Sequence, residues 1–122
     1  MKENITVPKL VIIGDSAYDT NRFIGEDGSH FFKTNYGGAG TYSSVPASLF
    51  YRVGLVSNAG EDFNVDKLKK FNIDLRGFHT RKDEKTSRFY NILKTRDGQE
   101  REIAAEYNER LTATFDDIPK DF

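Results

Sequence analysis

Leu10-Val11-Ile12-Ile13-Gly14-Asp15 is a short unbroken apolar run stopped by a glycine and a carboxylate. A strand with one face in water alternates apolar and polar residues. A run that is apolar throughout suits a strand covered on both faces, as in the parallel sheet of an α/β protein. Val53-Gly54-Leu55-Val56-Ser57 has the same character and predicts a second buried strand. Between them, Arg22-Phe23-Ile24 and His30-Phe31-Phe32-Lys33 flank the turn signal Glu26-Asp27-Gly28, which reads as two short strands and a glycine turn. Gly37-Gly38-Ala39-Gly40 follows, and a helix is expected from there to about Tyr51, with Pro46 kinking it or delaying its start.

Further along, Glu61-Asp62 suit a helix N-terminus, and Val65, Leu68 and Phe71 form an apolar stripe with Lys67, Lys69 and Lys70 outside it. Asn72 would close that helix in a left-handed conformation. Ile73 to Phe78 is expected as a short strand. Thr86 to Thr95 and Glu100 to Tyr107 form a hairpin around Arg96-Asp97-Gly98-Gln99. The tail, Leu111 to Phe122, carries Pro119 and no complete element. The order strand, hairpin, glycine turn, helix, strand, helix, strand, hairpin argues α/β.

The chain has 122 residues, enough for one domain with a real core, and ten Phe and six Tyr to fill it. Its 18 basic and 19 acidic residues leave a net charge of -1, so no electrostatic reason exists to expect nucleic acid or an anionic membrane as partner. There is no cysteine, which excludes disulfides and thiolate chemistry. His30 and His79 stand alone, without metal-ligand spacing, so no metal site is expected. Lacking a signal-like start and any run of roughly 20 apolar residues, the sequence is read as a cytoplasmic protein.

Glycines before a helix let the backbone approach a ligand closely, and helix N-terminal amides can donate to its oxygens. Gly37-Gly38-Ala39-Gly40 is not a phosphate-binding P-loop, since no Lys-Ser/Thr follows, and it lacks the third glycine of the dinucleotide fingerprint. By itself the segment fits a ligand-facing turn and a plain tight turn equally well.

The surrounding landmarks favour the first. Val11-Ile12-Ile13-Gly14-Asp15 with Asp19 resembles the opening of the ribokinase-like (PfkB) carbohydrate kinases, and Gly37-Gly38-Ala39-Gly40-Thr41-Tyr42 resembles their N-terminal diglycine signature. Val53 to Phe63, ending Gly60-Glu61-Asp62-Phe63, is similar to their second strand and its acidic turn. Phe71-Asn72-Ile73-Asp74-Leu75, Thr86, Gly98 and Asn108 continue the order over nearly the whole chain. The resemblance implies a truncated ribokinase-like fold: a partly parallel sheet with flanking helices and a small β lid, the lid strands inserted at about residues 20–36 of a substrate-binding part spanning 1–122.

That resemblance places a sugar, polyol or nucleoside between lid and core, with Asp19, Gly37, Gly38, Ala39, Tyr42 and Asn108 as the substrate-binding set. Asp19, at a strand's C-terminal end, would accept two hydrogen bonds from adjacent hydroxyls, while Gly37 and Gly38 would let backbone amides reach the substrate. Asp19 also reads as a turn Asp, and Asn108 as a turn Asn. Ribose-binding members carry Asn two residues before the Asp, where this chain has Ala17, and many carry Asn in place of Tyr42. A glycine that usually ends the first helix is missing between Phe50 and Tyr51, so that loop should be strained or rebuilt. In the family, ATP and Mg2+ belong to a C-terminal half whose catalytic Asp ends a Gly-x-Gly-Asp turn. Here Thr41 follows Gly38-Ala39-Gly40, so neither cofactor is expected on this chain alone and no catalytic residue is assigned. The functional readings are thus a kinase portion inactive by itself, a non-catalytic small-molecule binding module, or an interaction protein. In each, an open sheet edge or the lid would support a homo-oligomer.

Overall fold

The centre of the molecule is β4 (Val53–Gly60), in which every residue is buried. The computed structural model describes residues 7–122. β1 (Leu10–Ile13) lies parallel to β4, pairing Leu10 with Val53 and Ile13 with Val56. On the other side of β4 run two short parallel strands in succession, β5 (Ile73–Asp74) and β6 (Phe78–Arg81). Val53 and Ser57 both donate to that side, to the carbonyls of Asn72 and Gly77 at 3.1 Å each. The strand expected over Ile73–Phe78 is therefore broken. The Asp74 carboxylate turns back to accept the Arg76 amide at 3.1 Å, an Asx turn that interrupts the ladder.

A second four-stranded sheet has the order β3-β2-β7-β8, built from β2 (Ala17–Ile24), β3 (His30–Gly37), β7 (Arg88–Leu93) and β8 (Arg101–Glu106). β2 and β7 run parallel; the two outer pairs are antiparallel hairpins. Both hairpins form at the turn signals, and Gly28 and Gly98 supply the positive φ there. The sheets meet at an aromatic cluster: Tyr18 and Tyr36 stack at 5.5 Å, both rings touch Phe63, and Phe63 packs on Phe78. The Tyr18 hydroxyl donates to the Asp62 carbonyl at 3.1 Å and accepts from the Asn64 amide at 2.9 Å, fixing the angle between the layers.

The fold is α/β, yet the helical content is small. The one α-helix among the described residues is α1 (Ala39–Ala47). It begins directly at the glycines and ends one residue after Pro46, whose missing N–H removes the bond to the Tyr42 carbonyl, while Ser48 still donates to Ser44 at 2.9 Å. Residues 48–51 are not helical. They close in short turns, Leu49 to the Pro46 carbonyl and Phe50 to the Ala47 carbonyl, leaving both side chains exposed. The loop lacking its glycine is thus rebuilt without positive φ, since Asp83 is the one non-glycine residue in that region among those described.

The helix expected after Glu61-Asp62 is a single 3₁₀ turn, Val65–Leu68, capped by the Asn64 side chain accepting from the Asp66 amide. Asp62 is not a helix-terminal carboxylate. It accepts the Thr86 amide at 2.8 Å and lies 3.4 Å from Arg88. The spacing of Val65, Leu68 and Phe71 is three, the 3₁₀ period, not the 3.6 of an α-helix. Asn72 is not left-handed; its side chain accepts from Arg52 at 3.1 Å.

β1 also departs from expectation. Leu10 is 41% and Ile13 54% exposed, because β1 ends its sheet and nothing among the described residues pairs with its other edge. In the tail, Asp117 accepts from Asn58 at 3.0 Å and from Arg81 at 2.7 Å, tying the C-terminal segment to β4 and β6.

Candidate functional site

The loop Gly14–Ser16, leaving β1, rests backbone against backbone on the start of α1. The Gly40 amide donates to the Asp15 carbonyl at 2.9 Å. Gly38 has φ 86, a conformation that side chains disfavour, and a Cβ there would lie 2.4 Å from the Asp15 carbonyl oxygen. A Cβ at Gly40 would lie 2.7 Å from the Gly14 oxygen. Below this seam the Ser16 hydroxyl bonds to those of Thr41 and Ser57 at 2.8 Å each, joining loop, helix and β4. The glycines therefore serve close packing of two backbone segments.

Gly37 has a different purpose. A Cβ there would fall 2.2 Å from the Asp19 carboxyl carbon. In the β2–β3 pairing Asp19 faces Asn35, so Gly37 is its diagonal neighbour on the same face, where a side chain would reach it. The missing side chain lets the Asp19 carboxylate lie over the strand end. Asp19 is thus the third residue of β2, in the second sheet, and not at the C-terminal end of β1.

Asp19 and Gly38 face one cavity of about 440 Å3. Asp15, Ala39 and Tyr42 line the side formed by the seam and α1. Asn21, Phe89, Asn91 and Ile103 line the side formed by the sheet. Asp19 pairs in register with Phe89, Asn21 with Asn91, and Asn91 with Ile103, so alternate residues of three strands present one face to the cavity. Burial holds the Asp19 carboxyl above its ordinary value, and among the described residues no donor of the protein reaches it. Such a group is an acceptor left open for a ligand. The cavity lining has two carboxylates and neither Lys nor Arg.

Of the residues singled out from sequence, Asp19, Gly38, Ala39 and Tyr42 line this cavity, and Gly37 supports Asp19 from behind. Asn108 does not share it. Its amide nitrogen donates to Glu84 and to the Lys85 carbonyl at 2.9 Å each, and its oxygen caps a 3₁₀ turn at Arg110. Asp15, Asn21, Phe89, Asn91 and Ile103 were not singled out from sequence. The alternation along Asp19-Thr20-Asn21 and Phe89-Tyr90-Asn91 is the signal that could have found them, but only with the strand register in hand. Among the described residues no group of three or more His, Cys, Asp or Glu is arranged to hold a metal ion, and no helix is long and apolar enough to cross a membrane.

No family model and no curated protein matches the chain. Solved structures do. A sugar kinase from Pyrococcus horikoshii in complex with ATP superposes with a TM-score of 0.70 at 22% identity, over 92% of this chain and 39% of its own. A ribokinase from Arabidopsis thaliana complexed with ribose and ATP gives 0.61 at 25% identity, over 82% and 36%. A nucleoside kinase from Burkholderia thailandensis in complex with inosine gives 0.63 at 14% identity, over 80% and 35%. The fold is that of part of a ribokinase-like kinase, and the chain spans under two fifths of the length of these structures.

Proposed function

We propose that this chain is the substrate-binding portion of a kinase that transfers the γ-phosphoryl group of ATP to a hydroxyl of a sugar, polyol or nucleoside. The observation that carries this reading is the Asp19 carboxylate, seated on Gly37 and open to a cavity that Gly38 also lines. An ionised carboxylate accepts from two neighbouring hydroxyls at once, and charged acceptors form the stronger hydrogen bonds. The second sheet acts as a lid over the cavity, and Phe89, Tyr42 and Ile103 give apolar surface for the body of the substrate. With two carboxylates and no cation in its lining, the site favours neutral or cationic ligands and disfavours phosphorylated ones.

The same lining does not fit ATP. A triphosphate needs donors and cations, and the one glycine-rich helix start among the described residues, at Gly38-Ala39-Gly40, already gives its Gly40 amide to the Asp15 carbonyl. On this reading ATP and its Mg2+ are held by a further part of the kinase, and this chain is inactive without it. The unpaired edge of β1, beside the exposed Leu10 and Ile13, supports association there with a further segment or a second copy.

Titration calorimetry with a hexose, a polyol and a nucleoside tests the reading. At least one should bind, Asp19→Asn should weaken it by about tenfold or more, and none should yield ADP from ATP with this chain alone. Equal binding by the Asn variant, or no binding across the panel, would remove the proposal.

A further inference from the structure

A second cavity, of about 410 Å3, lies between α1 and the 3₁₀ segment Val65–Leu68. It shares only Tyr42 with the first. Its walls are apolar or aromatic: Tyr36, Val45, Leu68 and Phe71. Two lysines stand at its border. The Lys67 ammonium is held 5.4 Å above the Tyr36 ring, and that of Lys70 5.7 Å above the Phe71 ring. Lys69 lies between them in sequence and is occupied by Asp66 at 2.8 Å. Among the described residues neither Lys67 nor Lys70 has a carboxylate partner.

We infer that this cavity is a binding site for a small organic monoanion with a flat apolar body, such as an aromatic carboxylate. Three features select that chemistry. Aromatic and aliphatic walls reward a planar apolar group and offer little to a sugar. The two ammonium groups rest on rings that form the walls of the cavity they help line, and supply it with cationic partners for a carboxylate. A dianion such as phosphate would lose its hydration against these walls and gain nothing for its body. The volume suits one or two fused rings and excludes a folded peptide. The site does not depend on the function proposed for the first cavity, whose lining is acidic.

The test uses the full chain with naphthoate, its uncharged analogue naphthylmethanol, and inorganic phosphate as probes. Naphthoate should bind at least about tenfold more tightly than naphthylmethanol, phosphate should not bind measurably, and amide resonances of residues 41–45 and 67–71 should move. Replacing both Lys67→Ala and Lys70→Ala, at exposed positions where folding is undisturbed, should bring the two aromatic probes to equal affinity. Val45→Trp, filling the cavity, should abolish both. The inference is overturned if naphthoate fails to bind, if its shifts map elsewhere, if phosphate binds as well, or if the double lysine variant keeps its preference for the anion.

Discussion

β4 and β8 are strands of one chain with opposite surroundings. All of β4 is buried and flanked by strands on both sides, whereas every residue of β8 is exposed and β8 ends its sheet. The first sheet is held by apolar packing around Leu55, Ala59, Phe63, Leu68 and Ile73. The second is held by backbone ladders and by the aromatic contact of Tyr18 and Tyr36 with Phe63. Stability is therefore concentrated in one layer, and the sheet proposed above as a lid is the less buried of the two.

Truncating each layer in turn should expose the asymmetry most strongly. Leu55→Ala removes a side chain that is 0% exposed and should cost about 3 kcal/mol in denaturant unfolding. Ile103→Ala, at a position 66% exposed, should change stability by no more than about 0.5 kcal/mol. Equal losses would mean that the layers share one core.

Asp74 comes next. Arg76 grips it through Nε at 3.0 Å and Nη2 at 2.7 Å, and this hydrogen bonding holds its carboxyl below the ordinary 3.8 against the opposing effect of burial. A depressed carboxyl contributes stability that is present above its unfolded value and lost as pH falls through the folded one. Asp74→Asn should cost about 2 kcal/mol at pH 7, and the gap to the parent should narrow below pH 4. A pH-independent gap would place its role in packing.

In the second layer the effects belong to binding. Gly37→Ala pushes a methyl into the Asp19 carboxylate and should weaken hydroxyl ligands about tenfold, measured by calorimetry, with the first sheet unaltered. The smallest effect is on Asp19 itself. Its carboxyl is raised by burial, so the folded chain binds a proton more tightly than the unfolded one, and stability declines as pH rises from the unfolded value through the folded one. Asp19→Asn should therefore unfold at a slightly higher temperature than the parent at pH 7, and the advantage should vanish below pH 4. A loss of stability at neutral pH would show that the carboxylate is a structural group.

The sequence was most readable where a residue's own chemistry decides its conformation. Gly28 and Gly98 mark both hairpins, and the apolar run at Val53 marks the central strand. It was least readable where a distant partner decides. Asp62 resembles a helix-start carboxylate until Thr86 claims it, and Glu61 to Asn72 then has only enough regularity for one 3₁₀ turn. The apolar content of β1 anticipated cover on both sides, yet its free edge leaves Leu10 and Ile13 half in water. Asp19 and the glycines entered the reading through the family resemblance, and Asp19, Gly38 and Ala39 do line one cavity. Asn21, Asn91 and Ile103 were not legible, because only pairing across three strands puts them on one face. Asn108 fitted a pocket amide and a turn amide alike, since the two are the same group before Glu84 and Lys85 are located, and it does not join the cavity of Asp19.

The Ser16 hydroxyl sits midway in a row of three, with Thr41 on one side and Ser57 on the other. It has a single proton to give, so at least one outer hydroxyl must point its own toward the centre. Where only one does, the row runs in one direction, and reversing it requires more than one proton to turn. Deleting the middle oxygen would take a partner from both outer hydroxyls in a buried place, whereas deleting an end would leave the other two still bonded to each other.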